Sequence, residues 1–196
     1  IGINYSDWQT NISFNFFDPY FNPDGVGLGY GAYIRSSDYS NFNISAYNTE
    51  SFGGSIQFVL PINEISQLSL SAAIDQTDLS SDALSSRQLL DFIATEGSKF
   101  ESLTLGASWT RNSLNRGIFP TAGTLNVVSG SVTVPGSSIT YGRLSHRFKY
   151  FRPLSNNFIF GVRTEIGGLF AYGDTDTPPP YENFYAGGLN LSLIHI

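Results

Sequence analysis

The stretch Phe158-Ile159-Phe160-Gly161-Val162-Arg163-Thr164-Glu165-Ile166-Gly167-Gly168-Leu169-Phe170-Ala171-Tyr172 decides the fold. Phe158, Phe160, Val162, Ile166, Phe170 and Tyr172 share one parity, and Gly161, Arg163, Glu165, Gly167 and Ala171 share the other. Side chains along a strand point to opposite sides with period two, so the segment reads as a strand with one apolar face and one charged, small-residue face. It is longer than most strands of soluble domains. An apolar band on one side, charge on the other and aromatic residues near the strand ends together describe a transmembrane β-barrel strand.

The same alternation recurs upstream. Ile12, Phe14 and Phe16 alternate with Ser13 and Asn15 until the turn Asp18-Pro19-Tyr20-Phe21-Asn22-Pro23-Asp24-Gly25. Leu28, Tyr30, Ala32 and Ile34 then oppose Gly27, Gly29, Gly31, Tyr33 and Arg35. After a polar stretch from Ser36 to Glu50, Ile56, Phe58 and Leu60 lead to a tight turn expected at Pro61-Ile62-Asn63-Glu64. Leu68, Leu70, Ala72 and Ile74 oppose Ser69, Ser71 and Asp75 on the return. The alternation is expected to lapse from Leu79 to Lys99, where Ser85 to Ile93 reads as a short capped helix in a long loop. It resumes at Leu103, Leu105, Ala107 and Trp109, and again at Val128, Val132 and Val134 before the turn Pro135-Gly136-Ser137-Ser138. In the next strand Leu144, Phe148 and Tyr150 oppose the cations Arg143, Arg147 and Lys149. The expectation is an all-β antiparallel meander of about eight to nine strands, with short turns alternating with longer loops.

Composition fits. Only 13% of the 196 residues are charged, 15% are aromatic and 20 are glycine, with a mean hydropathy of -0.06. No run approaches the ~20 apolar residues of a membrane-spanning helix, so any crossing is by strands closed into a barrel. The net charge of -6 and the absence of a basic stripe argue against a nucleic-acid partner. The absence of cysteine removes disulfide and thiol chemistry.

Candidate chemical sites have plainer readings. Gly25, Gly27, Gly29 and Gly31 do not space as a phosphate loop and fit a strand face that needs small residues. His146 and His195 have no companion ligands, and Asp174 and Asp176 lack the glycine and distal glutamate of a calcium loop. No Ser/His/Asp set assembles. The sequence therefore predicts no enzyme, no metal and no cofactor. Arg143, Arg147, Lys149, Arg163 and Glu165 are candidate lumen charges, with Arg163 and Glu165 read either as a network that positions a loop or as hydrated charge.

Two segments carry more than architecture. Asn112-Ser113-Leu114-Asn115-Arg116-Gly117-Ile118-Phe119-Pro120-Thr121-Ala122-Gly123 and Pro180-Tyr181-Glu182-Asn183-Phe184-Tyr185-Ala186-Gly187-Gly188 resemble stretches of the BamA family, the barrel subunits of the outer-membrane protein assembly machinery. The Asp18 to Val26 turn and Phe58 to Glu64 resemble turns of that family in the same order. The resemblance runs from Ile1 to Asn190, with Asn115 standing where relatives often carry Asp. It implies an incomplete piece of a sixteen-stranded transmembrane outer-membrane barrel, ending in a long extracellular loop that folds back into the lumen. Pro180 to Gly188 would belong to that loop. Asn115, Arg116, Gly117, Phe119, Pro120 and Gly123 would form a periplasmic turn.

The ends follow from this reading. Ile1 to Tyr5 already reads as strand, with no signal peptide, and the periplasmic POTRA domains, the first strand and the last strands are expected outside the chain. Leu191-Ser192-Leu193-Ile194-His195-Ile196 reads as the translation of a sequencing adapter, which leaves 1–190 as a partial barrel domain; the alternative is an ordinary apolar strand. By resemblance the whole protein would fold and insert other β-barrels in the bacterial outer membrane. Its partners would be outer-membrane lipid, nascent barrel substrates and, through the POTRA domains, accessory assembly lipoproteins. The alternative is a related superfamily barrel serving as a protein-secretion or translocation pore. A passive porin and a soluble β-sandwich rank below both, the sandwich because no second set of inward faces exists to bury the apolar ones.

Overall fold

In the computed structural model, residues 1–38, 47–81, 85–155, 157–179 and 182 are described. They form one antiparallel sheet of nine strands in chain order. The strands are β1 (Gly2–Ser6), β2 (Gln9–Asp18), β3 (Gly27–Asp38), β4 (Tyr47–Asn63), β5 (Ser66–Ser81), β6 (Lys99–Asn112), β7 (Gly123–Thr133), β8 (Tyr141–Pro153) and β9 (Ile159–Ala171). One helix, α1 (Arg87–Glu96), lies between β5 and β6. No described helix is long and apolar enough to cross a membrane.

Register turns the alternation of single strands into two continuous faces. Phe16 pairs with Tyr30, Tyr30 with Ile56, Ile56 with Ala72, Ala72 with Leu105 and Leu105 with Val132, an apolar row across six strands. Leu28, Phe58, Leu70 and Ala107 form the next row. Most of these side chains remain exposed, Phe16 at 47% and Leu105 at 47%, with Leu28 and Ala72 partly so, and the sheet keeps its apolar surface outside. From Phe52 to Leu60 the band runs about 27 Å along β4, or about 20 Å of membrane thickness at a strand tilt near 40°. A sandwich would have buried these residues against a second sheet; among the described residues there is none.

The opposite face is polar and small. Ser71, Gly106, Ser131 and Arg143 are successive register partners, as are Ser69, Ser108, Ser129 and Ser145. Gly31 sits where a Cβ would lie 2.6 Å from the Asn15 side chain, so a glycine is needed where β2 reaches across β3.

Three sequence boundaries shift. β3 continues to Asp38 and β4 starts at Tyr47, inside the stretch expected to be polar connection. β5 likewise runs to Ser81, with Leu79 opposite Thr49 and Asp78 opposite Lys99. Backbone pairing outlasts the apolar band, and where both faces meet water the apolar–polar alternation that betrays a strand disappears. The turn expected at Pro61 to Glu64 narrows to Glu64-Ile65, because Asn63 pairs with Ser66 after a register shift near Pro61. Proline lacks the N–H a regular ladder needs, so a bulge absorbs it.

The longest connection, between β5 and β6, lies at the end of the sheet that also carries the β7–β8 connection, and the β4–β5 and β6–β7 connections lie at the other. At the loop end α1 begins as expected: Ser86 caps it, its hydroxyl accepting from Leu89 N at 3.3 Å, and Gly97, at φ +92°, ends it with its N–H on the Ile93 carbonyl at 3.0 Å. Ten residues are marginal as an isolated helix, so tertiary contact must hold it. Leu89 and Phe92 supply that contact, packing with Leu79, Phe100 and Ile139 in a fully buried apolar cluster. Each such burial is worth about 1.5–3 kcal/mol.

Candidate functional site

Leu79 and Phe100 belong to the polar-face parity of β5 and β6, so α1 sits over the inner face of the sheet at its loop end. Beside it, the chain leaving β9 turns back over the same face. Tyr172 N donates to the Thr140 carbonyl at 3.1 Å, the Thr140 hydroxyl donates to the Tyr172 carbonyl, and the Tyr172 hydroxyl donates to the Thr133 carbonyl. Thr175 is buried, its hydroxyl accepting from Thr140 N at 2.8 Å. Asp176 N donates to the Glu96 carboxylate of α1 at 3.1 Å. The segment is thus strapped to the β7–β8 connection on one side and to α1 on the other.

Its described end is Glu182. Arg143 Nη1 of β8 donates to Glu182 Oε2 at 2.9 Å, and Tyr141 lines the same cavity as that carboxylate. Both partners of the ion pair are half-buried, with side-chain exposures of 41% and 28%. Burial pushes the Glu182 carboxyl above its ordinary range, against the opposing pull of the Arg143 charge, while Asp75 pushes the same way as burial. Glu182, Tyr141, Tyr33, Arg35, Asp75 and Ser102 line a polar cavity of about 140 Å³. The Ser102 hydroxyl donates to Asp75, and the Arg35 guanidinium lies 5.3 Å over the Tyr33 ring.

The other candidate lumen charges separate from this cluster. Arg147 and Glu165 are register partners joined at 3.1 and 3.4 Å. Lys149 lies directly opposite Arg163, a like-charge pairing. Glu165 therefore meets β8, and the described ion pair to the returning segment is made by Arg143. Of the Pro180 to Gly188 motif, only Glu182 can be placed; Pro180, Tyr181, Asn183, Phe184, Tyr185, Ala186, Gly187 and Gly188 lie outside the described residues, as do 191–196.

At the turn end, Asn115 organises the β6–β7 connection. Its carbonyl oxygen accepts from Thr121 N at 3.0 Å and Ala122 N at 3.1 Å, its amide donates to the Thr121 hydroxyl at 2.7 Å, and its own N–H donates to the Ala122 carbonyl at 3.1 Å. Gly123 has φ +106°, and a Cβ there would run into the Ser113 carbonyl. Phe119, also at positive φ, and Ile118 project into solvent at 86% and 78% exposure. Arg116 and Gly117 are exposed, and Pro120 is half-buried. Among the described residues no group of three or more His, Asp or Glu is placed to hold a metal.

Tyr141, Thr140 and Thr175 were not legible as site residues. Tyr141 shares parity with Arg143 and could have been found by extending that face by one step. The threonines act through backbone contacts between segments 35 residues apart, which leave no local signal.

This arrangement has close relatives. The outer membrane protein assembly factor BamA of Neisseria meningitidis serogroup B is 32% identical over 194 residues, covering 94% of this chain and 24% of that protein. The factor of the same name from Nitratidesulfovibrio vulgaris is 23% identical over 190 residues, covering 95% of this chain and 23% of that protein. The crystal structure of BamA from Haemophilus ducreyi lacking POTRA domains 1–3 superposes with a TM-score of 0.86 at 25% identity, over 93% of this chain and 37% of that one. The chain spans about a quarter of the length of the curated relatives it matches. The profile of the Omp85 superfamily domain matches residues 1–192, and the chain belongs to that superfamily.

Proposed function

We propose that this chain is a section of wall from a bacterial outer-membrane barrel that folds and inserts other β-barrel proteins, acting without covalent catalysis, metal or cofactor. The observation that supports it is the likeness to BamA over more than nine-tenths of the chain, in sequence and in fold. The physical task is to bring a nascent strand, with its unpaired N–H and C=O groups, into lipid. A barrel with an openable seam offers an edge on which such strands pair before leaving as a closed barrel. The strands described here form the wall beside that seam, and the returning segment fills the lumen behind it. Lipid meets the Phe16 to Val132 row and its neighbours. Nascent barrels are the substrates, and accessory lipoproteins would engage periplasmic domains carried elsewhere in the protein.

Depletion of the resident assembly factor in a bacterium, with the full-length protein supplied from a plasmid, tests this. Restored porin levels in the outer membrane are the expected result. Membrane insertion of the protein with no recovery of porins overturns the reading. Secretion of a passenger protein in its place would support the translocation-pore alternative, which the breadth of the superfamily keeps in view.

A further inference from the structure

The inner face of the sheet is polar along most of its height, yet at the loop end it carries Leu79 and Phe100, fully buried beneath Leu89 and Phe92 of α1. Ile139, in the β7–β8 connection, completes this cluster, and Tyr141 packs against its edge. The neighbouring Thr140 holds the returning segment at Tyr172 and Thr175. Tyr141 and Glu182 line one polar cavity, and Glu96 of α1 accepts from Asp176 N. The helix and the segment therefore meet twice: directly at Glu96, and through the Ile139-Thr140-Tyr141 run whose three residues face the cluster, the strap and the ion pair.

We propose that α1 is a latch, whose seating on the inner face holds the segment after β9 in the lumen, so that lifting the helix releases Glu182 from Arg143. Apolar burial supplies the latch's strength and the Tyr141 and Glu96 contacts transmit it. The two elements then open as one cooperative unit rather than separately. The inference does not rest on barrel assembly, because its readout involves no substrate.

The test uses the full-length protein in the outer membrane of intact cells, freed of other cysteines and carrying Thr175→Cys, a position only 7% exposed. Labelling by a membrane-impermeant maleimide reports the segment. Phe92→Asp is expected to raise the labelling rate about tenfold or more and Phe92→Ala several-fold, as expected if local opening exposes the site. Leu90→Asp, on the exposed side of α1 at 44%, leaves the rate unchanged. Heat-modifiable migration on gels confirms that each barrel is folded; if Phe92→Asp does not fold, Phe92→Ala decides. Labelling at the parental rate in a folded Phe92 variant whose α1 has become cleavable by added protease overturns the latch.

Discussion

Arg143 and Glu182 are joined at 2.9 Å across 39 residues of sequence, one on the inner face of β8 and the other at the end of the segment that turns back after β9. A guanidinium–carboxylate contact that is half-buried lies between the weak exposed pairs and the costly buried ones. A coupling of about 1–2 kcal/mol follows, enough to shift the returned segment between held and released by roughly tenfold.

Arg143→Met should therefore release the segment more than Glu182→Gln does. The methionine leaves a half-buried carboxylate without its counter-charge, whereas glutamine keeps a neutral acceptor for Arg143. Thr175→Cys labelling in the two variants and in the double variant forms a double-mutant cycle. Additive effects would show that the pair contributes nothing to holding the segment.

The pH dependence follows from Glu182. Its carboxyl in the held state lies above the ordinary 4.5, chiefly through burial. A group whose pKa is raised in the held state favours that state below its ordinary pKa, and the contribution is lost as pH rises through the raised value. Release should thus increase from pH 4 toward neutrality, and Glu182→Gln should flatten the profile. A profile that falls with pH, or one unchanged by Glu182→Gln, contradicts the assignment.

Asn115 and Gly123 hold the β6–β7 turn by different means. Asn115→Ala removes a side chain that accepts two backbone N–H groups and donates to Thr121, and should cost about 1–3 kcal/mol of stability. Asn115→Asp keeps both acceptor contacts and loses the donor, so it should cost less than about 1 kcal/mol. Gly123→Ala meets both a positive φ and the Ser113 carbonyl, and should be the most damaging of the three. Urea unfolding of the refolded full-length barrel in detergent ranks them.

The sheet was legible because lipid on one side and water on the other impose period two directly on the sequence, as at Leu68 to Asp75 and Phe158 to Tyr172. Where both sides are wet the signal vanished, and β3, β4 and β5 proved longer than their patterns. The helix was visible through Ser86 and its apolar spacing, but not its seat, because the partners Leu79 and Phe100 sit on strands and look like errors of alternation until α1 covers them. The site was half legible: Arg143 and Glu182 each stood out, one by parity and one by motif, while their pairing depends on a chain reversal after β9 that no local pattern encodes.

The assignment of faces can be tested with a single residue step. Leu70 points to the apolar side, 43% exposed in a row with Phe58 and Ala107, and Ser71 points to the inner face in a row with Gly106. Leu70→Arg places a charge against the hydrocarbon and should cost about 2–4 kcal/mol near the membrane midplane. Ser71→Arg puts the same charge on the wet side, where its cost is the crowding of a small-residue row that ends at Arg143. Refolding yield into lipid vesicles should therefore fall sharply for Leu70→Arg and much less for Ser71→Arg, and the two should converge in detergent micelles, which adapt around a charge more readily than a bilayer does. The reverse order in vesicles would mean that the faces are inverted and that the Arg143–Glu182 pair lies outside the barrel.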